Sequence, residues 1–237
     1  MKIFHTAIIA GMALALTISS AHADSISDYV HLELGAGVSW YQTLSDGVWY
    51  QQGMQHSLGL SAPVLMGGFT GPLWKRESWG IDWHADYVSL GHVSSQCECT
   101  PDDANYSTQT HSLVANQNPV PNANFVGNGN AQGIELTLEP YVLYRGWRFG
   151  LEGGIFPYRP SWDETIYGWQ GDMSVAPKTL TAHTPRSIQL GEVVGLNVGR
   201  GPLTVALQHY FLPTRFDAQH SPAIWSGATV LMVKYRF

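Results

Sequence analysis

Two short segments place chemistry-bearing side chains at strand spacing. Asp82-x-His84-x-Asp86 sets two carboxylates and an imidazole at alternate positions. Alternate residues of an extended strand share a face, so these three could orient a base or hold a cation. His92-Val93-Ser94-Ser95 sets an imidazole and a hydroxyl two apart in the same way. His56-Ser57, His111-Ser112 and His220-Ser221 are adjacent instead and would face opposite ways, so they read as loop or rim residues. Cys97 and Cys99 are the only cysteines. Two thiolates alone cannot complete a tetrahedral metal site. A local disulfide across a tight loop is the leading reading, with free or intermolecular thiols, or a metal, as alternatives. The chain has no Walker-type loop, no His-Glu-x-x-His and no dinucleotide fingerprint. No cofactor and no metal is expected.

The elements that must carry these residues follow from composition and periodicity. Residues 1–23 read as a secretory signal peptide: Lys2, an apolar run from Ala7 to Ile18, and the small-x-small site Ala21-His22-Ala23. The expected mature part, 24–237, has no apolar run of the roughly 20 residues that a membrane-spanning helix needs. It retains 11 basic against 18 acidic residues once Lys2 is removed, a net charge of −7 with His neutral. That balance excludes a nucleic-acid partner, which needs a basic face. Only 13% of residues are charged, while there are 25 Gly, 9 Trp and 11 Tyr. Such a surface suits lipid better than water.

Eight segments alternate with period two, the pattern of strands with two unlike faces. In the first, Val30, Leu32, Leu34, Ala36, Val38 and Trp40 alternate with His31, Glu33 and Ser39. The second, His56 to Phe69, carries Leu58, Leu60, Ala62, Val64 and Met66 on one face. The third begins at Trp79, the fourth spans Gly133 to Arg145, and the fifth Trp147 to Tyr158. The sixth to eighth run Arg186 to Arg200, Leu203 to Leu212 and Ile224 to Phe237. Tight turns at Arg145-Gly146-Trp147 and Arg200-Gly201-Pro202 alternate with long polar loops, about 93–132 and 159–185. Short turns on one rim and long loops on the other predict an all-β fold: a closed antiparallel up-and-down transmembrane barrel of eight strands, with its short rim in the periplasm. Trp79, Tyr144, Trp147, Tyr235 and Phe237 are expected in an aromatic girdle at that rim, and Trp40, Tyr158, Phe211 and Trp225 at the outer rim. Glu33, Asp82, His84, Asp86, Glu135, Glu139, Arg145, Arg148, Glu152, Lys234 and Arg236 would then face the lumen and pair with one another. Glu192 falls on the apolar face of the sixth strand, and a bulge at Gly191 is expected to turn it inward.

The chain closes on Val233-Lys234-Tyr235-Arg236-Phe237. This alternation onto a terminal Phe resembles the assembly signal of bacterial outer-membrane barrels. With the leader, it is similar to the small eight-stranded group that includes OmpX-like, OmpW-like and lipid A deacylase barrels. The resemblance implies export through the general secretory pathway and a Gram-negative outer membrane. It implies contact with outer-membrane lipid and lipopolysaccharide, and with the barrel-assembly machinery through Phe237. His92-x-Ser94 also resembles the His-x-Ser-Asn motif of outer-membrane lipid hydrolases, departing where Ser95 replaces Asn. That resemblance implies His92 as base and Ser94 as nucleophile, with Asp86 or Glu135 as the orienting acid. The leading reading is a non-enzymatic barrel with a structural or surface-interaction role, its loops meeting an extracellular ligand. A lipid-modifying hydrolase and a small, porin-like polar channel are the alternatives.

Overall fold

Period-two alternation is converted into ladders throughout the chain. The structure, a computed structural model, describes residues 29–43, 56–99, 106–107, 112–113, 123–169, 176–184, 186–213 and 225–237. The expected leader, the start at Asp24, most of the Asn-, Pro- and Gly-rich stretch after 115, and His111, His220 and Ser221 lie outside the described residues. Every regular element among the described residues is a strand. They are β1 His31–Thr43, β2 His56–Gly59, β3 Ser61–Lys75, β4 Trp79–Cys99, β5 Tyr106–Ser107, β6 Ser112–Leu113, β7 Ala123–Tyr144, β8 Trp147–Trp169, β9 Lys178–His183, β10 Gln189–Arg200, β11 Leu203–Phe211 and β12 Trp225–Arg236. Apart from the small β5–β6 pair, all belong to one ten-stranded antiparallel sheet.

Eight of them close a ring in the order β1, β3, β4, β7, β8, β10, β11, β12. The seam is the β1–β12 ladder, running from Glu33 opposite Arg236 up to Thr43 opposite Trp225. The remaining two strands pair above the ring, β2 on β4 and β9 on β8. Chain chemistry sets the tight rim. Arg145 and Gly146 both have positive φ, 50° and 79°, which a type I′ hairpin turn demands at its two central positions. Gly201, with φ 60°, opens the other two-residue turn.

The outer surface is inverted relative to a water-soluble protein. Leu34, Val38, Leu65, Leu138, Leu151, Leu196, Val205 and Val233 all point outward and are well exposed. Glu33, Asp82, Asp86, Glu135, Glu139, Glu152 and Lys234 lie inside. An apolar exterior around a polar interior is the surface of a protein solvated by hydrocarbon. Trp74, Trp79, Tyr144, Trp147, Tyr235 and Phe237 are exposed around the short-turn rim.

Strand length departs from expectation. β4, β7 and β8 have 21, 22 and 23 residues, about twice the 9–11 that cross a bilayer. β1, β10, β11 and β12 have 9 to 13. Much of the segments 93–132 and 159–185, expected as loops, is therefore strand. Its backbone groups find partners in the β4–β7 and β7–β8 ladders, which continue past Ser89 and Arg159. With β2 and β9 these extensions form a wall on one side of the barrel, beyond the long-loop rim.

Several face assignments are corrected. Ala62, Val64 and Met66 of β3 point into the lumen, and Pro63, Leu65 and Phe69 point out. Tyr158 and Trp225 are buried inside, leaving Trp40 and Phe211 outward near the outer rim. Trp225 turns inward at a register shift opposite Gln42 and Thr43. Arg145 sits in its turn, over the Tyr144 ring at 5.2 Å, not in the lumen. Glu192 faces outward, because the β10 ladders run without a bulge through Gly191. It lies opposite Phe211, the last residue of β11, at a depth where a charge costs about 0–1 kcal/mol.

Candidate functional site

Among the described residues, the ionisable groups gather most densely in the lumen. Even-numbered residues of β8, and of β4 as far as Leu90, point inward, as do odd-numbered residues of β7, so Asp82, His84, Asp86, Glu135, Glu139 and Glu152 converge. β1 adds Glu33, and β12 adds Lys234 and Arg236. The six expected cluster members, Asp82, His84, Glu135, Glu139, Arg148 and Glu152, thus lie in one continuous polar layer toward the short-turn rim.

Three partnerships organise it. Nearest the rim, Asp82 Oδ2 accepts from Arg148 Nη1 at 2.7 Å and from Arg236 Nη1 at 3.1 Å. Arg148 Nε also donates to Glu139 Oε1 at 3.0 Å, and its guanidinium lies 3.8 Å from the Tyr141 ring centre. In the middle, His84 faces two carboxylates: Nδ1 lies 3.1 Å from Glu33 Oε2, and Nε2 lies 3.1 Å from Glu139 Oε2. Only an imidazolium has an N–H for both. Deeper, Glu152 accepts from Lys234 Nζ (3.1 Å), Thr137 Oγ1 (2.6 Å), Asn197 Nδ2 (2.8 Å) and Gln208 Nε2 (3.0 Å). Gln208 Nε2 also reaches Glu135 Oε1 at 2.9 Å, and the Tyr210 hydroxyl donates a very short bond to Glu135 Oε2.

Asp86 is the exception. It is fully buried, and neither carboxylate oxygen has a hydrogen-bond partner. Glu33, His84 and Asp86 each offer a donor atom, and these atoms lie within 4.8 Å of one another. They are the residues that could hold a cation.

Above this layer the lumen turns apolar. Tyr41, Phe156, Tyr158, Trp162, Tyr210 and Trp225 are buried there with Val64, Val88, Leu90 and Val93. Trp225 meets Tyr41 edge-on at 5.2 Å and Trp162 at 5.6 Å, while Phe156 meets Tyr210 at 4.9 Å. Tyr210 joins the two layers, its ring in the aromatic one and its hydroxyl on Glu135.

The His92–Ser94 constellation is not assembled. β4 carries a bulge between Ser89 and His92, with Gly91 at φ 82°. One extra residue reverses the parity of the strand. His92 and Ser94 share a face as expected, but it is the outward one, while Asp86 and Glu135 point into the lumen. The bulge is held from β1, two strands away. Ser39 Oγ donates to the Leu90 carbonyl at 2.6 Å, and the Tyr41 hydroxyl donates to the Gly91 carbonyl at 3.1 Å and accepts from the Ala131 N–H at 3.2 Å. Cys97 is disulfide-bonded; the chain has one other cysteine, Cys99.

Asn197, Gln208, Thr137, Tyr210, Ser39 and Tyr41 escaped the sequence reading as site residues. The signal was present in Asn197 and Gln208, amide side chains that share their strand faces with small residues, Gly195 and Gly199 beside the one and Ala206 beside the other.

A closed eight-stranded antiparallel ring, apolar outside and polar within, defines a small transmembrane β-barrel of the outer-membrane type. No family model matches the sequence, and no curated protein matches it. The solved structures it is similar to include the attachment invasion locus protein Ail of Yersinia pestis, in complex with the heparin analogue sucrose octasulfate. That chain is 9% identical, with 88% of this chain and 99% of that one covered and a TM-score of 0.38. They also include the backbone structure of Yersinia pestis Ail in a phospholipid bilayer nanodisc, 10% identical, with 87% and 99% covered and a TM-score of 0.28. Likenesses this distant carry no argument about function, and the fold stands on its own ladders.

Proposed function

We propose that this protein is an integral barrel of the bacterial outer membrane whose role is structural or surface-interacting, exercised through the wall above its long-loop rim. The carrying observation is the division of labour along the strands. The membrane-length part has a lumen filled by paired charges and aromatic rings, while β4, β7 and β8 run on past it. Among the described residues β9 pairs with β8 alone, so its other edge offers N–H and C=O groups to an extracellular ligand. Lys178, Thr179, Thr181 and His183 on that strand are exposed. In this reading the outward aliphatic side chains contact outer-membrane lipid and lipopolysaccharide. Export uses the general secretory pathway, and insertion uses the barrel-assembly machinery, whose signal the Val233–Phe237 segment resembles.

The three lysines beyond the expected leader make a direct test. Lys178 lies in the wall, Lys75 at the opposite rim, and Lys234 is buried in the lumen. A membrane-impermeant amine reagent applied to intact cells should modify Lys178 and leave Lys75 untouched; cell breakage should expose Lys75. Labelling of Lys75 alone in intact cells, or recovery of the protein in the soluble periplasmic fraction, would overturn the proposal. Planar bilayers should show no steady conductance, and a stable open channel would favour the porin-like alternative.

A further inference from the structure

We propose that the lumen binds one divalent transition-metal ion, taken here as Zn2+, between Glu33, His84 and Asp86. The charges call for a cation at this place. Six buried carboxylates, Glu33, Asp82, Asp86, Glu135, Glu139 and Glu152, face Arg148, Lys234, Arg236 and the His84 imidazolium. Each carboxylate but one has a donor within reach. The exception, Asp86, is fully buried with both oxygens bare, and a bare buried carboxylate is costly. It lies on the same strand face as His84 and level with Glu33 two strands away, with only Gly68 between them and the three donor atoms within 4.8 Å.

The donor set selects the class of ion. One imidazole nitrogen with two carboxylates suits zinc and its neighbours, whereas calcium and magnesium take oxygen ligands. A tetrahedral zinc site spaces its donors about 3.4 Å apart, close to the 3.1 Å already separating His84 Nδ1 from Glu33 Oε2, so binding has chiefly to draw Asp86 in. His84 Nδ1 exchanges its proton for the metal, and that proton leaves to solvent. Glu33 Oε2 and one Asp86 oxygen supply the other protein ligands. His84 Nε2–H keeps donating to Glu139 Oε2, the carboxylate–histidine–metal relay that fixes ring orientation at such sites. Gaining two charges and losing one proton leaves the acidic lumen nearer neutrality. The bound ion would tie β1 to β4 inside the membrane.

The test uses the purified full barrel, refolded in detergent micelles with and without Zn2+ and dialysed against metal-free buffer. Wild type should retain one zinc per chain by elemental mass spectrometry, unfold at a higher temperature when loaded, and release a proton on binding by calorimetry in buffers of different ionisation heat. Asp86→Asn should retain none and show no thermal response. Glu139→Gln should bind about 10–100-fold more weakly. His183→Ala, in the exposed wall, should match wild type. Folded wild type that retains no zinc overturns the proposal, as does zinc retention that survives Asp86→Asn or disappears in His183→Ala. Asp86→Asn that raises the unfolding temperature while wild type ignores zinc would mean that Asp86 carries a proton instead, and also overturns it.

Discussion

The two halves of the lumen solve one packing problem by opposite means. Toward the short-turn rim, charged and amide side chains interlock; toward the wall, aromatic rings and aliphatic side chains do. Both halves bury most of their side chains, but they fail differently. A charged network depends on every partner, since removing one strands another in a medium of low dielectric. An aromatic layer loses contacts in proportion to the volume removed and has no partner to strand. The polar half therefore specifies which strands meet, and the aromatic half supplies bulk and seal.

The sharpest way to break this contrast is Lys234→Met. It leaves Glu152 buried without its cation and should cost about 3–5 kcal/mol, read by equilibrium urea unfolding of the micelle-inserted barrel. Adding Glu152→Gln to the same chain should recover most of the loss. A double variant no better than the single one would show that the pair is not coupled. Phe156→Ala in the aromatic half should cost about 3–5 kcal/mol as well, but no neutralising second change should rescue it. Filling the cavity, by xenon or benzene uptake, should restore stability in its place.

Smaller effects test the seams. Tyr41→Phe keeps the ring against Trp225 and removes the hydroxyl from the Gly91 carbonyl and the Ala131 N–H. Two buried backbone groups lose a partner, at about 1–3 kcal/mol, and hydrogen exchange should rise at Ala131 before it rises elsewhere in β7. The wall should respond to acid. The hydrogen bond from His183 at 2.6 Å, helped by Arg186, holds the Asp163 carboxyl below its ordinary value. A carboxylate with a lowered folded-state pKa contributes stability above its unfolded value, about 3.9, and loses it as pH falls through the folded one. Asp163 is well exposed, so the contribution is under about 1 kcal/mol. Exchange protection of β9 should hold at pH 7 and weaken below about pH 4, and Asp163→Asn should abolish the pH response.

Much of the fold was legible in alternation, because a barrel strand with charges on one face and aliphatics on the other can be oriented by inspection. Asp82, His84, Glu135, Glu139, Arg148 and Glu152 are placed by that rule alone. It fails where both faces are apolar. β3 has no charge between Ser61 and Trp74, and nothing local says that Val64 and Met66 face inward. It fails again where a single residue slips, as at Trp225 and at the Ser89–His92 shift. No pattern in one strand reveals a bulge whose support comes from Ser39 and Tyr41, some fifty positions earlier. The wall was missed because its polar, glycine-rich composition matches that of loops, and only pairing with β7 and β8 makes it sheet. The unpartnered state of Asp86 belongs to three-dimensional arrangement and has no counterpart in the linear sequence.

The bulge at Gly91 also makes the barrel modular. Below it, β4 obeys the lipid on one side and the charged lumen on the other. Above it the parity is reset, so the wall's sequence is free of both demands. A wall of different length or composition could be grafted beyond Gly91, with its counterpart grafted beyond Ala131 on β7, without rewriting a lipid-facing residue. Ser39 and Tyr41, which clamp that joint from β1, would be the positions to leave alone. Variation among such barrels could therefore be large above this joint and slight below it.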